Sequence, residues 1–250
     1  RVYYTYNWKL DNNNRPLVTF YTDKIHKRNG YKWTHPVHEV LTPMIIEHKI
    51  IIKDIILNHY PDLNKSRSNY LPLLEMSVKE DPNDDRNMHY LGREYMYHQK
   101  YNEAIDTLIK HLNLKTATWK DERAASMRFI GRCYSNLERY EEAILWYKKA
   151  IKEAPYLRDA YVELAILYHK LNKNTKVIYY TNKALSIKNK NMTYINEIFS
   201  WDNTIYDIRS IAFYNMGKYK ASLKNINIAI SMDKTNERLI NNKKIIERNI

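Results

Sequence analysis

Three side chains with acid–base or ligand chemistry fall within five positions, His35-Pro-Val-His38-Glu39. An imidazole beside a carboxylate suits proton transfer, and two imidazoles with a carboxylate can also hold a transition metal. As a zinc site the cluster is weak, because ligands on an extended segment project to alternate faces and no fourth ligand is evident. On the residues alone, Glu39 caps a strand end and His38 is a hydrogen-bonded, half-buried side chain. Tyr31 and Trp33 could stack on a sugar face, but aromatic residues on a strand belong more often to a core, and Trp33 is expected there. Lys27 and Arg28 read as exposed strand cations, with a diphosphate contact as the rarer role. Cys133, one residue before Tyr134 in a helical pattern, reads as buried packing and not as a nucleophile.

The elements that carry these residues follow from composition and pattern. The 250 residues hold 41 Lys and Arg against 28 Asp and Glu, a net charge of +13, with 44% hydrophobic content. That balance describes a basic globular protein and argues against disorder. Only four Gly and seven Pro occur, too few for a loop-rich β architecture, so helix should dominate. A single cysteine permits no intrachain disulfide and no cysteine zinc cluster, which fits a reducing, cytoplasmic setting. No apolar window is long enough to span a membrane, and the opening Arg1 to Asn7 lacks a signal-peptide core. Its strand-like run predicts that further chain precedes it.

Self-similarity organises most of the chain. In 34-residue registers starting at Asp85, Ala124, Arg158 and Asn203, position 8 is small (Gly92, Gly131, Ala165, Ser210) and position 11 aromatic (Tyr95, Tyr134, Tyr168, Phe213). Position 20 reads Ala104, Ala143, Val177 and Ser222; position 27 reads His111, Ala150, Ala184 and Ala229. Small residues let two helices approach while the aromatic fills the space beside them. With Phe129-Ile-Gly-Arg-Cys-Tyr134, Tyr140-Glu-Glu-Ala143 and Ala150 to Pro155, this code resembles the tetratricopeptide repeat (TPR). Four repeats are expected at 85–118, 124–157, 158–191 and 203–236, with a connecting half repeat at 65–84 and a capping helix at 237–250. Trp119 to Arg123 and Met192 to Asp202 are insertions. His111, Val177 and Arg209 depart from the pattern.

Residues 1–64 follow a different rule. Val2, Tyr4, Tyr6 and Trp8 alternate with polar residues, Leu17 to Tyr21 and Ile50 to Leu57 are rich in strand formers, and Asp11 to Pro16 reads as a turn. Strands without covering helices make a poor independent domain, so this segment is expected to end a larger α/β unit. Lys24-Ile-His-Lys-Arg28, Tyr31 to Leu41, Ile56-Leu-Asn-His-Tyr-Pro61, Lys65 to Leu74 and Tyr90-Leu-Gly-Arg-Glu-Tyr95 resemble, in order, the C-terminal end of a family 2 GT-A glycosyltransferase running into TPR repeats. The fold class that follows is mainly α: a TPR-type helical solenoid preceded by a small β-rich remnant of an α/β GT-A domain.

The resemblance implies sugar transfer from a nucleotide-sugar donor to an acceptor hydroxyl, with a divalent metal (Mn or Mg) in the intact enzyme. It places Glu39 as the base that takes the acceptor proton and His38 beside metal or diphosphate. No Asp-x-Asp occurs in the sequence, so this chain alone is expected to hold no cofactor and to be inactive.

The repeat family lines its concave face through positions 2, 5, 9, 12 and 13 of the first helix, which here places Arg86, His89, Arg93, Arg128 and Arg132 in a cationic stripe. The alternative is that Arg86 and Arg93 pair with acids such as Asp85, Glu94 or Glu122. Val162, Ile166, Ile211 and Tyr214 occupy the equivalent face of repeats three and four. The stripe points to an anionic protein or glycan acceptor as partner. Two function classes result: a glycosyltransferase fragment whose repeats position the acceptor, or a non-catalytic scaffold binding an acidic peptide. Nucleic-acid binding draws only on charge and lacks a recognised motif.

Overall fold

A computed structural model describes residues 1–11, 14–62 and 69–250. The tip of the Asp11–Pro16 turn and the expected boundary at 64/65, with the start of the Lys65–Leu74 match, lie outside the described residues. The chain forms two compact units, residues 1–133 with 191–195, and residues 134–190 with 196–250.

The first unit opens with β1 (Val2–Leu10), β2 (Pro16–Ile25), β3 (Tyr31–Thr34), β4 (Val40–Pro43) and β5 (Ile50–Asn58). A three-stranded sheet has the order β2-β1-β5, with β1 antiparallel to β2 and parallel to β5. Register shifts in the β1/β2 ladder break the expected two-residue alternation: Tyr4 and Asn7 are the buried residues of β1, and Trp8 is exposed. Asn7 is satisfied across the sheet, accepting from Thr19 Oγ1 at 2.8 Å and donating to Asn58 Oδ1 at 2.7 Å. Arg1 ties the strands and their connections together. Its guanidinium donates to both Glu47 carboxylate oxygens, to Asp23 at 2.6 Å and to the Leu41 carbonyl at 2.7 Å.

Strands β3 and β4 form a separate antiparallel ribbon in which Trp33 pairs with Leu41. Trp33 is 50% exposed, contrary to the core position expected for it. A two-stranded ribbon puts no second layer over the indole, which instead sits under Lys24 Nζ at 4.5 Å and beside the His26 ring. Lys27 and Arg28 are exposed.

The remainder is helical: α1 (Tyr70–Glu80), α2 (Asp85–Tyr97), α3 (Tyr101–Asn113), α4 (Lys120–Asn136), α5 (Tyr140–Glu153), α6 (Asp159–Lys170), α7 (Asn174–Ser186), α8 (Thr204–Asn215), α9 (Tyr219–Met232) and α10 (Glu237–Glu247). The small-residue code has a direct steric cause in the first hairpin. A Cβ on Gly92 would lie 2.5 Å from Leu108 Cγ, so α2 and α3 approach only because that position lacks a side chain. The first insertion lengthens α4 at its N-terminal end, since helix begins at Lys120.

In the second unit, Ala143, Leu164, Ala165, Tyr168, Val177 and Ala212 share one apolar cluster, and Ile226, Ala229, Leu239 and Ile246 another. Arg209, where an apolar residue was expected, is satisfied by Thr181, Asn182 and Asn225. Among the described residues no helix is long and apolar enough to cross a membrane.

Candidate functional site

Helix α2 begins where the Asp84 side chain accepts from the Asn87 amide at 2.8 Å, a sequence-local cap that fixes the helix start and therefore its faces. Arg86, His89 and Arg93 are spaced three and four apart, so they share one face. Tyr90 lies between them as a platform. The Arg86 and Arg93 guanidinium carbons lie 5.0 and 4.5 Å from its ring centre. The His38 ring stacks on it at 4.0 Å with a 19° interplanar angle.

His38 reaches this platform from the loop between β3 and β4. His35 and His38 both adopt positive φ, 69° and 56°, a left-handed conformation that histidine visits more readily than most residues. Buried Val37 packs with Leu71, Leu74, Tyr90 and Leu91, and His35 faces Asp84 and Asn87, so the loop is anchored on both sides of His38. Arg93 Nη2 lies 3.4 Å from His38 Nε2. A guanidinium can only donate, so His38 Nε2 is the acceptor in this contact. Glu39 is exposed.

Neither Arg86 nor Arg93 is ion-paired with a carboxylate among the described residues, Asp85, Glu94 and Glu122 included, and the Nε of each is buried without a hydrogen-bond partner. Both are half-buried, as is Arg132, whose guanidinium carbon is 5.3 Å from the Phe129 ring. The other members of the stripe differ. His89 is 1% exposed and Arg128 2% exposed, the latter donating to the Ile195 carbonyl at 3.2 Å. These two therefore line no open surface. The stripe expected from periodicity divides into accessible cations and buried ones.

Behind the platform runs a polar relay. Ser126 Oγ lies 2.7 Å from His89 Nδ1 and 2.9 Å from His111 Nδ1; His111 Nε2 lies 3.5 Å from Glu122 Oε1; Tyr194 donates to Glu122 Oε2 at 2.6 Å. Burial pushes the His89 imidazole down to about 3, against the pull of Glu122, so it is neutral at physiological pH. Burial alone would raise Glu122, but the His111 contact, the proximity of His89 and the Tyr194 hydrogen bond hold it down to about 2. Tyr194, buried and facing that carboxylate, is raised well above its ordinary value. Serine, histidine and glutamate are connected here as in an acyl-transfer triad, yet Ser126 is fully buried and shared between two imidazoles, so no substrate carbonyl reaches it. Among the described residues, His89, His111 and Glu122 form a cluster able to hold a metal ion; His35, His38 and Glu39 do not.

Sequence reasoning singled out His89 and noted His111 as a breach of the small-residue code without joining them. That breach was the available signal: a large polar group at a helix-contact position must find partners. Ser126 and Tyr194 gave none, Tyr194 lying 72 residues beyond Glu122 in the second insertion. Cys133 is buried, and burial pushes its thiol up to about 12, which fits packing.

Residues 124–157 match the family model for the tetratricopeptide repeat. A crystal structure of MamA superposes with a TM-score of 0.55 at 22% identity, over 72% of this chain and 99% of that one. The Cut9–Hcn1 structure from the anaphase-promoting complex gives 0.57 at 13% identity, over 72% of this chain and 33% of that one. YrrB, described as a TPR protein with an unusual peptide-binding site, gives 0.50 at 12%, over 70% and 81%. At these identities the likeness is one of fold. A segment of 74 residues is 38% identical to the transcription factor tau 131 kDa subunit of Saccharomyces cerevisiae, covering 30% of this chain and 7% of that protein. These matches bring no support to the glycosyltransferase resemblance of residues 1–64.

Proposed function

We propose that the helical repeats are a protein-binding scaffold that takes an acidic segment of a partner, with Arg86 and Arg93 as anchors and Arg132 as a further contact. The observation that carries this reading is the pair of guanidinium groups on one face of a TPR-like helix, partly accessible and without carboxylate partners. Arginine suits the task because its planar fork grips a carboxylate with two parallel hydrogen bonds. The peptide-binding site described for YrrB, a structure of the same fold, is consistent with it. The test is fluorescence anisotropy with a Glu/Asp-rich peptide, a neutral peptide of the same length and a Lys-rich one. Binding of the acidic peptide should weaken at least about tenfold in Arg86→Ala/Arg93→Ala, since each charged hydrogen bond contributes about 1.5–3 kcal/mol. Its salt dependence should fall as well. Equal binding by parent and double variant would return the stripe to a structural role.

A second reading is that residues 1–64 continue a GT-A catalytic domain. Strand β5 favours it: Ile50-Ile-Ile-Lys-Asp-Ile-Ile-Leu57 is an almost continuous apolar run at a sheet edge, parallel to β1 and exposed at most positions. Parallel strands of that composition are ordinarily covered on both faces. The metal-binding Asp-x-Asp of that family is absent from the sequence, so the residues present do not fit the donor group and no step through a nucleotide sugar is assigned to them. Glu39 would be the acceptor base. In a longer chain carrying a donor site, Glu39→Gln should lower turnover by about 10²- to 10⁴-fold; unchanged turnover would discard that role.

A further inference from the structure

We propose that His89, His111 and Glu122 form a buried binding site for a divalent transition-metal ion of the zinc class. One donor atom from each residue lies within 4.8 Å of the others, and all three side chains are buried. The spacing within the cluster fits a coordination edge better than a hydrogen bond. His111 Nε2 and Glu122 Oε1 are 3.5 Å apart, and His111 Nε2 is buried without a hydrogen-bond partner. At zinc bond lengths, two ligands at a tetrahedral angle are separated by about 3.4 Å. The His89 and His111 rings lie side by side, 5.4 Å apart.

The hydrogen bonds around the cluster are those that metal-bound side chains require. A histidine bound through Nε2 donates Nδ1–H to an outer acceptor, and His111 Nδ1 lies 2.9 Å from Ser126 Oγ, which also contacts His89 Nδ1. Without a metal the same oxygen must donate to one ring and accept from the other, which sends the remaining proton of one imidazole to Nε2. At His111 that proton faces Glu122 across 3.5 Å, too far for a good bond. Tyr194 holds the far oxygen of Glu122 at 2.6 Å, leaving Oε1 for the ion. Two nitrogens and one carboxylate oxygen favour zinc, and cobalt as its spectroscopic substitute, over calcium or magnesium, which take oxygen ligands. Arg93 and Arg128 lie close enough to act on His89, and their charge keeps the expected affinity below that of cysteine-rich sites.

Because the site is enclosed, the ion should load on folding. The full chain is unfolded in chelator, refolded with or without zinc chloride and dialysed, and bound metal is measured by mass spectrometry. One equivalent of zinc is expected, with a melting temperature about 5–10 °C higher at a hundredfold excess over Kd. Calcium and magnesium should give neither effect. Tyr194→Phe should weaken zinc binding about 10- to 100-fold, and Glu122→Gln and His89→Gln at least as much. The cobalt-loaded parent should show the intense visible bands of a tetrahedral site, a readout that needs no variant. Zinc below about a tenth of an equivalent, cobalt without tetrahedral bands, or undiminished binding in a folded Glu122→Gln would each overturn the assignment.

Discussion

Isoleucine does opposite things in β5 and in the repeat helices. Ile50, Ile51 and Ile56 of β5 are 54%, 57% and 61% exposed, whereas Ile130 of α4 and Ile226 of α9 are fully buried. A helical hairpin brings its own apolar faces together through neighbours a few tens of residues away, so each repeat closes locally. A strand can cover neither of its faces, and its edge leaves backbone groups unpaired. The strand region is therefore held by directional contacts such as the Arg1 clasp and the Asn7 ladder, and the helices by packing. Substitutions should separate the two kinds of cohesion.

The sharpest break is Ile130→Ala, which opens a cavity in a filled contact and should cost about 2–5 kcal/mol in a urea titration followed by helical circular dichroism. A cost under 1 kcal/mol would mean that packing is not what holds α4. Next in size is Gly92→Ala. The added methyl must displace Leu108, an overpacking cost of about 1–3 kcal/mol, partly offset by up to about 1 kcal/mol of helix propensity. A net gain in stability would show that α2 and α3 have slack between them.

The two regions were unequally legible in the sequence for the same reason. The repeat code is local and periodic: Gly92, Ala104 and Tyr95 announce a hairpin because each contact spans only a short stretch of chain. The strands were readable as strands, but their faces were not. A register shift turns Asn7 inward and Trp8 outward, and nothing local tells a strand whether a second layer covers it, which is why pattern alone puts the exposed Trp33 in a core. The candidate site divides likewise. The spacing of Arg86 and Arg93 on α2 was visible, while the seating of His38 on Tyr90 depends on residues 52 apart meeting through tertiary packing.

Acid should discriminate between the regions before heat does. The Arg1 hydrogen bonds hold the Glu47 carboxyl down to about 2, with Lys49 assisting, against a burial effect that alone would raise it. A folded value below the unfolded one, near 4.5, means that this carboxylate stabilises the fold above that pH. The contribution is lost as pH falls from about 4.5 toward 2. Hydrogen-exchange protection of the β1 and β2 amides should drop across that window while α6 to α9 keep theirs. Glu47→Gln should remove the pH dependence. A parallel loss in both regions would contradict the division.

The smallest effect on stability is expected where the apolar exposure is greatest. Ile56→Lys removes a large apolar side chain that is 61% exposed on an edge strand, so little packing is lost and the change in unfolding free energy should stay within about 0.5 kcal/mol. Its consequence should appear in association instead. An edge strand with apolar residues on both faces is a template for pairing with another strand, and a lysine there blocks such pairing. Light scattering at increasing protein concentration should show less self-association in Ile56→Lys than in the parent, with identical helical circular dichroism. A destabilisation approaching that of Ile130→Ala would mean that β5 is covered in solution by another segment or a second copy, and isoleucine would then play one role in both regions.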